Sequence, residues 1–201
     1  MSNKIITIGR QFGSGGRTIG RLVADKLKIP FYDKELVKHV SVETGFAESF
    51  VEEKGEYSSS GSLLSHAFAP RVFGGAVHGM SIEDFLWMIQ CRVIMQIAEK
   101  GSCVIVGRCA DYILKDKFDC LNVFIHSDEV SRAERIVRLY GNSDCLPQKR
   151  LIEKDKRRAV YYKHYTDHEW GKADNYHISL NSSAIGIDKC VEIIVDLYKG
   201  L

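Results

Sequence analysis

Apolar positions along the chain alternate between short unbroken runs and longer stretches with helical spacing. The first run, Ile5, Ile6 and Ile8, suits a strand buried on both faces of a parallel sheet. Ile19, Leu22, Val23 and Leu27 then predict a helix over about 17–28. Phe31 and Tyr32 read as a brief second strand, followed by a helix over about 34–44. CVIVG at 103–107, LNVFI at 121–125 and YHISL at 176–180 are three further strand-like runs, and a last helix covers about 188–198. Ile82, Phe85, Leu86, Ile89, Val93 and Ile97 give a helix over 82–98 a core-facing stripe, with Ser81 and Asp84 as its capping box. This alternation predicts an α/β fold of three layers around a five-stranded parallel sheet.

Two segments break the rhythm. Residues 54–80 are rich in serine and glycine and read as a long excursion. Residues 132–172 are charged and mostly helical. The remainder, about 1–53, 81–131 and 173–201, forms one core, so the 201 residues make a single domain. With 45% of residues apolar, that core needs neither disulfides nor metals to hold it.

Charge sharpens the picture. The net charge is only +2, yet residues 148–158 carry six basic and two acidic side chains, while 46–56 carry four glutamates and one lysine. One basic segment suits one small anionic ligand rather than a nucleic-acid polymer, which asks for a broad basic face. The six cysteines form no CxxC pair, and several lie in apolar runs, so buried reduced thiols are expected. MSNKIITIG lacks a signal peptide's apolar stretch and no membrane-length run follows, so the expectation is a cytoplasmic chain without membrane contact. Oligomeric state leaves no mark in the sequence.

The strongest local signal is GRQFGSGGRT, from Gly9 to Thr18, between the first strand and the first helix. Phosphate binding needs backbone N–H groups aimed into one small volume, which glycines permit, and a helix start adds the positive end of its dipole. Gln11, Phe12, Gly13, Ser14, Gly15, Gly16, Arg17 and Thr18 are therefore the candidate phosphate loop. Aligned on Gly16-Arg17-Thr18, the chain departs from GxxxxGK[ST]: Gln11 replaces the first glycine and Arg17 the lysine. Arg17 becomes the candidate contact to the β- and γ-phosphates, and Thr18 the hydroxyl for Mg²⁺.

Further candidates surround it. Arg150, Lys154, Arg157 and Arg158 fall on one helical face, either a solvated stripe or donors for a transferring phosphoryl group. Asp33 follows the second strand at the ligand-binding edge of such sheets. It caps the next helix, serves chemistry by holding Mg²⁺ or accepting a hydrogen, or does both. Arg108 follows the third strand, where a cation suits an anionic acceptor. His164 and His168 share a helical face, but no third ligand accompanies them among three crowding tyrosines, so packing is the expected role.

At this point the chain resembles the nucleoside monophosphate kinases, and within them the cytidylate kinase-like family. The resemblance is carried by ITIGRQFGSGGRTIG, FYDKELV, VIVGRCADYIL, ERIVRLYG, DKRRAVYYKHYT and HISLNSSAIG, nearly the whole chain. It implies a P-loop core, an acceptor-binding excursion at about 54–80 and a helical lid at about 132–172. It implies Arg135 beside the adenine of ATP, and Asn181 and Ser183 near its base. It places Arg150, Arg157 and Arg158 over the phosphates, and Arg108 on the acceptor's phosphate, with Arg71 in the excursion as a further acceptor contact. True cytidylate kinases carry aspartate-glycine-arginine-aspartate after the third strand; here Val106-Gly107-Arg108-Cys109 lacks both acids, and Asp111 stands at a different offset. The expected activity is transfer of a phosphoryl group from ATP, with Mg²⁺, to a small acceptor such as CMP or dCMP. A kinase of another small metabolite and a nucleotide-binding regulator without transfer activity stay open beside it.

Overall fold

The structure, a computed structural model, describes residues 3–56 and 80–200. Most of the serine- and glycine-rich excursion, including Arg71, lies outside the described residues. Five parallel strands, β1 (Lys4–Arg10), β2 (Phe31–Tyr32), β3 (Cys103–Val106), β4 (Asp119–His126) and β5 (Ile178–Asn181), lie in the order β2-β3-β1-β4-β5. The helices in chain order are α1 (Gly16–Leu27), α2 (Lys34–Thr44), α3 (Glu48–Glu56), α4 (Ile82–Lys100) and α5 (Ala110–Ile113). They continue with α6 (Glu129–Tyr140), α7 (Pro147–Thr166), α8 (Ser182–Ile185) and α9 (Ile187–Gly200).

The unbroken apolar run of β1 is explained by its central place. Ile5 faces a core built with Cys103 and Ile105 under α2, α3 and α4. Ile6 and Ile8 face the opposite core, with Val104 and Val106 under α1 and α9. All three isoleucines are fully buried, each stabilising the fold by roughly 1.5–3 kcal/mol. The expected three layers and five strands are present. The chain crosses from one side of β1 to the other between β3 and β4, so the carboxyl end of β1 is the switch point where such folds bind ligands.

The differences from expectation are local. α3 was not visible in the glutamate-rich 46–56 segment. The charged stretch after 132 is two helices, broken where Gly141 adopts a φ of 74° and Pro147 opens α7. β5 begins at Ile178, because His177 takes hydrogen bonds with β4 through both its backbone and its ring: its N–H donates to the Asn122 carbonyl at 2.8 Å, and its Nδ1 accepts from the Asn122 N–H at 3.0 Å. Ser81 caps α4 by accepting the Asp84 N–H at 3.0 Å, but Asp84 returns to the Ser81 hydroxyl rather than to its N–H. All six cysteines are free thiols, and burial pushes Cys91 up to about 11 and Cys103 and Cys120 up to about 12. No helix of the described residues is long and apolar enough to cross a membrane.

Candidate active site

The turn after β1 is a phosphate-loop geometry. Gly13 and Gly15 take left-handed φ values of 78° and 83°, which side chains disfavour, and α1 begins at Gly16 with no side-chain cap. The loop is pinned from behind: the Gln11 N–H reaches the Ile125 carbonyl at 3.0 Å, and the Ser182 hydroxyl donates to the Ser14 carbonyl at 2.5 Å. The N–H groups of Gly13, Gly15, Gly16, Arg17 and Thr18 find no acceptor among the described residues. A helix N-terminus with such unmet donors is suited to an anion.

These residues line a cleft of about 670 Å³, within the range of small-molecule sites. Nine basic side chains border it against three acidic ones, a surplus of six positive charges. Of the sequence candidates, Gln11, Phe12, Gly13, Gly15, Gly16, Arg17, Thr18, Asp33, Arg108, Arg135, Arg150 and Arg158 line the cleft. Ser14 does not; its side chain is fully buried. Arg157 is exposed and also stands off the cleft. Asn181 and Ser183 lie apart from it as well. The Asn181 side-chain Oδ1 caps α8 by accepting the Ser183 and Ala184 N–H groups, while the Ser183 hydroxyl accepts the Asp128 N–H at 3.1 Å.

Asp33 precedes α2 but makes no capping bond to it. Its carboxylate instead meets the Arg17 Nε at 2.6 Å, with an Arg10 Nη 4.0 Å away. Of its two sequence roles, the helix cap is excluded and the cleft-facing one remains.

The segment from 129 to 166 is tied to the loop by a polar cluster. Asp155 of α7 accepts the Phe12 N–H at 2.7 Å and pairs with Arg132 of α6. Arg132 also donates to the Phe12 carbonyl at 2.8 Å, and Arg135 to the Gly13 carbonyl at 2.8 Å. Burial pushes the Asp155 carboxyl up more than these donors pull it down. Phe12 stacks on Tyr140 with centroids 5.9 Å apart, and Arg158 donates to the Arg10 carbonyl at 3.1 Å. Further along α7, Tyr161 and Tyr162 are buried, and Tyr165 stacks on Trp87 of α4.

Arg108 lies at the end of β3 where Gly107, Arg108 and Cys109 take φ values of 73°, 62° and 55°. Two consecutive non-glycine residues there store backbone strain, a feature that clusters at functional sites. The guanidinium is buried and, among the described residues, donates only to neutral oxygens, Val51 O and Gln90 Oε1, each at 3.3 Å. Asp111 does not stand in for the missing acids. It is buried outside the main cleft, accepts the Tyr162 hydroxyl at 2.6 Å, and burial raises its pKa.

Arg10, Arg132, Asp155 and Tyr140 escaped the sequence reading. Only Asp155 had left a trace, as an acid inside the basic stripe.

The sequence pattern of the cytidylate kinase-like family matches residues 5–184. The chain belongs to that family. Among solved structures, an uncharacterized protein from Eubacterium ventriosum is similar to this family member at 26% identity and a TM-score of 0.73, over 98% of this chain and 99% of that one. Shikimate kinase from Acinetobacter baumannii shares the fold at 15% identity and a TM-score of 0.55, over 100% of this chain and 94% of that one. A gluconokinase from Sinorhizobium meliloti does so at 13% identity and a TM-score of 0.54, over 98% and 95%. No curated protein matches the chain. The architecture is thus that of the P-loop kinases, and the family supports phosphoryl transfer from ATP to a small acceptor.

Proposed function

We propose that the protein transfers the terminal phosphoryl group of ATP to a nucleoside monophosphate, with CMP or dCMP the first candidates. One observation carries this reading. Residues with unmet N–H donors at the start of α1 line a cleft with a surplus of six positive charges. ATP and a nucleoside monophosphate together bring roughly six negative charges near neutral pH, of which Mg²⁺ offsets about two, so the cleft's cationic surplus covers both at once.

The chemistry is an in-line displacement. An acceptor phosphate oxygen bonds to the γ-phosphorus as the bond to the leaving oxygen of ADP breaks, with no covalent enzyme intermediate. The loop N–H groups bind the ATP phosphates, while Arg150 and Arg158 neutralise charge that spreads over the transferring oxygens. Arg108 receives the acceptor's phosphate: a buried guanidinium that bonds, among the described residues, to neutral oxygens gains most from an anion. α6 and α7 act as the lid that excludes water from the transfer.

Thr18 and Asp33 suit Mg²⁺. Among the described residues no cluster of three acidic, histidine or cysteine side chains could hold a metal alone. Mg²⁺ instead favours one or two protein oxygens, completed by water and phosphate. The exposed Thr18 hydroxyl and the Asp33 carboxylate both border the cleft. When bound, the ion supplies neutralising charge to the β- and γ-oxygens.

A second reading keeps the chemistry and changes the acceptor. It is favoured by the buried Cys109 beside Arg108 and by Asp111 facing Tyr162, which leave the acceptor end without the acids of true cytidylate kinases. A coupled ADP-release assay tests both, with Mg²⁺, ATP and CMP, dCMP, UMP, AMP, GMP, shikimate or dephospho-coenzyme A. Stimulation by CMP or dCMP above the acceptor-free rate is expected. Stimulation by another acceptor alone favours the second reading, and a silent panel despite bound ATP contradicts transfer.

A further inference from the structure

We propose that Arg10, just outside the phosphate-loop pattern as the sequence aligns on Gly16-Arg17-Thr18, makes the phosphate contact that the pattern's lysine makes elsewhere. The inference rests on the reading of the cleft as an ATP site, and it follows from the register of the loop. The pattern's last glycine precedes its lysine because a left-handed step is needed just before the helix. In this chain that step falls at Gly15, with φ 83°, and helical residues start at Gly16. By conformation the lysine position is therefore Gly16, one residue before the Arg17 that sequence alignment selects.

Gly16 has no room for a side chain. A Cβ there would stand 2.6 Å from the Arg10 Cβ and 3.2 Å from both the Arg10 Cγ and the Ile125 Cβ. The space where a lysine stem would start is filled by the stem of Arg10. Arg10 ends β1, at the switch point of the sheet, and borders the cleft with its side chain only 11% exposed. Its carbonyl receives Arg158, and its guanidinium lies 4.0 Å from Asp33.

Arg17 is placed differently. It projects from the first turn of α1, its side chain is 45% exposed, and its Nε is held by Asp33 at 2.6 Å. The two arginines thus divide what the sequence assigns to one. Arg10 supplies the fixed cation beneath the phosphates, and Arg17 orients Asp33 at the rim. A missing lysine and an arginine at the strand end form one exchange, because the same volume cannot hold both stems.

Isothermal titration with ATP, ADP and AMP in Mg²⁺-free buffer tests the assignment on the wild-type chain, Arg10→Met, Arg10→Lys and Arg17→Met. Methionine keeps an apolar stem against Gly16 and removes the charge. The wild type is expected to bind ATP more tightly than AMP. Arg10→Met should weaken ATP by about ten- to a hundredfold, as expected for a lost charged hydrogen bond, while AMP changes less than about threefold. Arg17→Met should lower the ATP-to-AMP ratio clearly less than Arg10→Met does. Arg10→Lys should fall between wild type and Arg10→Met, and it decides the matter if circular dichroism shows that Arg10→Met does not fold. A loss confined to Arg17→Met, or an Arg10→Lys ratio equal to wild type beside a misfolded Arg10→Met, overturns the assignment to Arg10. A folded wild type that does not prefer ATP over AMP refutes the ATP site itself, and the proposal with it.

Discussion

Removing the Asp155 carboxylate should loosen the phosphate loop and the α6–α7 segment together. Asp155 and Arg132 are 17% and 9% exposed, and they clasp Phe12 at both its N–H and its carbonyl. Stranding one partner of a buried ion pair costs about 3–5 kcal/mol, and an orphaned N–H adds about 1 kcal/mol where water cannot reach it. Both side chains keep some solvent, and Arg132 keeps the Phe12 carbonyl, so the lower end applies. Asp155→Ala should cost about 3 kcal/mol, a fall of roughly 6–12 °C in Tm for a chain of this size. Burial already pushes the Asp155 carboxyl up despite its donors, so desolvation outweighs the pairing. Removing both partners in Arg132→Met/Asp155→Ala should therefore cost much less than the sum of the single changes. Thermal and urea unfolding of the four chains measures this. A Tm change below about 2 °C for Asp155→Ala, or strict additivity in the double variant, refutes the clasp.

Gly16→Ala should destabilise by about 1–3 kcal/mol, because its methyl would overlap the Arg10 stem; urea unfolding at the wild-type midpoint measures the loss. Arg108→Met should raise KM for the acceptor about tenfold or more and leave ATP affinity unchanged, as read by steady-state kinetics and titration. The Asp111 carboxyl is raised by burial, so the folded chain keeps a proton that the unfolded chain releases. Stability should then fall as pH rises from the ordinary carboxylate range to the raised folded value, and level off above it. Asp111→Asn, which still accepts the Tyr162 hydroxyl, should lose this slope in urea unfolding across pH. At pH 8 the native thiols of Cys91, Cys103 and Cys120 should resist alkylation that proceeds after unfolding, as peptide mass spectrometry would show.

The sheet was legible because a strand buried on both faces leaves few polar options. β1 and β3 announce themselves by composition alone, and α4 by its stripe. α3 hid because an acid-rich sequence buries little beyond Val51, and that packing is tertiary. The glycine loop was recognisable, but its register was not: glycine permits a left-handed step wherever it stands, and Gly13, Gly15 and Gly16 are equivalent on paper. Arg157 shows the limit of helical spacing. On a wheel of about 100° per residue, Lys154 and Arg158 advance to one side of Arg150, while Arg157 falls about 20° to the other. The cleft lies on the Arg158 side. On paper Asp155 is only one of two acids within a basic segment, because nothing in the sequence says that Phe12 and Arg132 wait across the fold.

The central claim is that a phosphoryl group leaves ATP and arrives on an acceptor bound at Arg108. Incubation with Mg²⁺, ATP labelled at the γ-phosphate and CMP, followed by chromatographic separation of nucleotides, follows that group directly. The account predicts label in CDP, formed more slowly at low CMP concentrations when Arg108 is replaced by methionine. Label that stays in ATP, or appears only as free phosphate for CMP and every other acceptor, would contradict it.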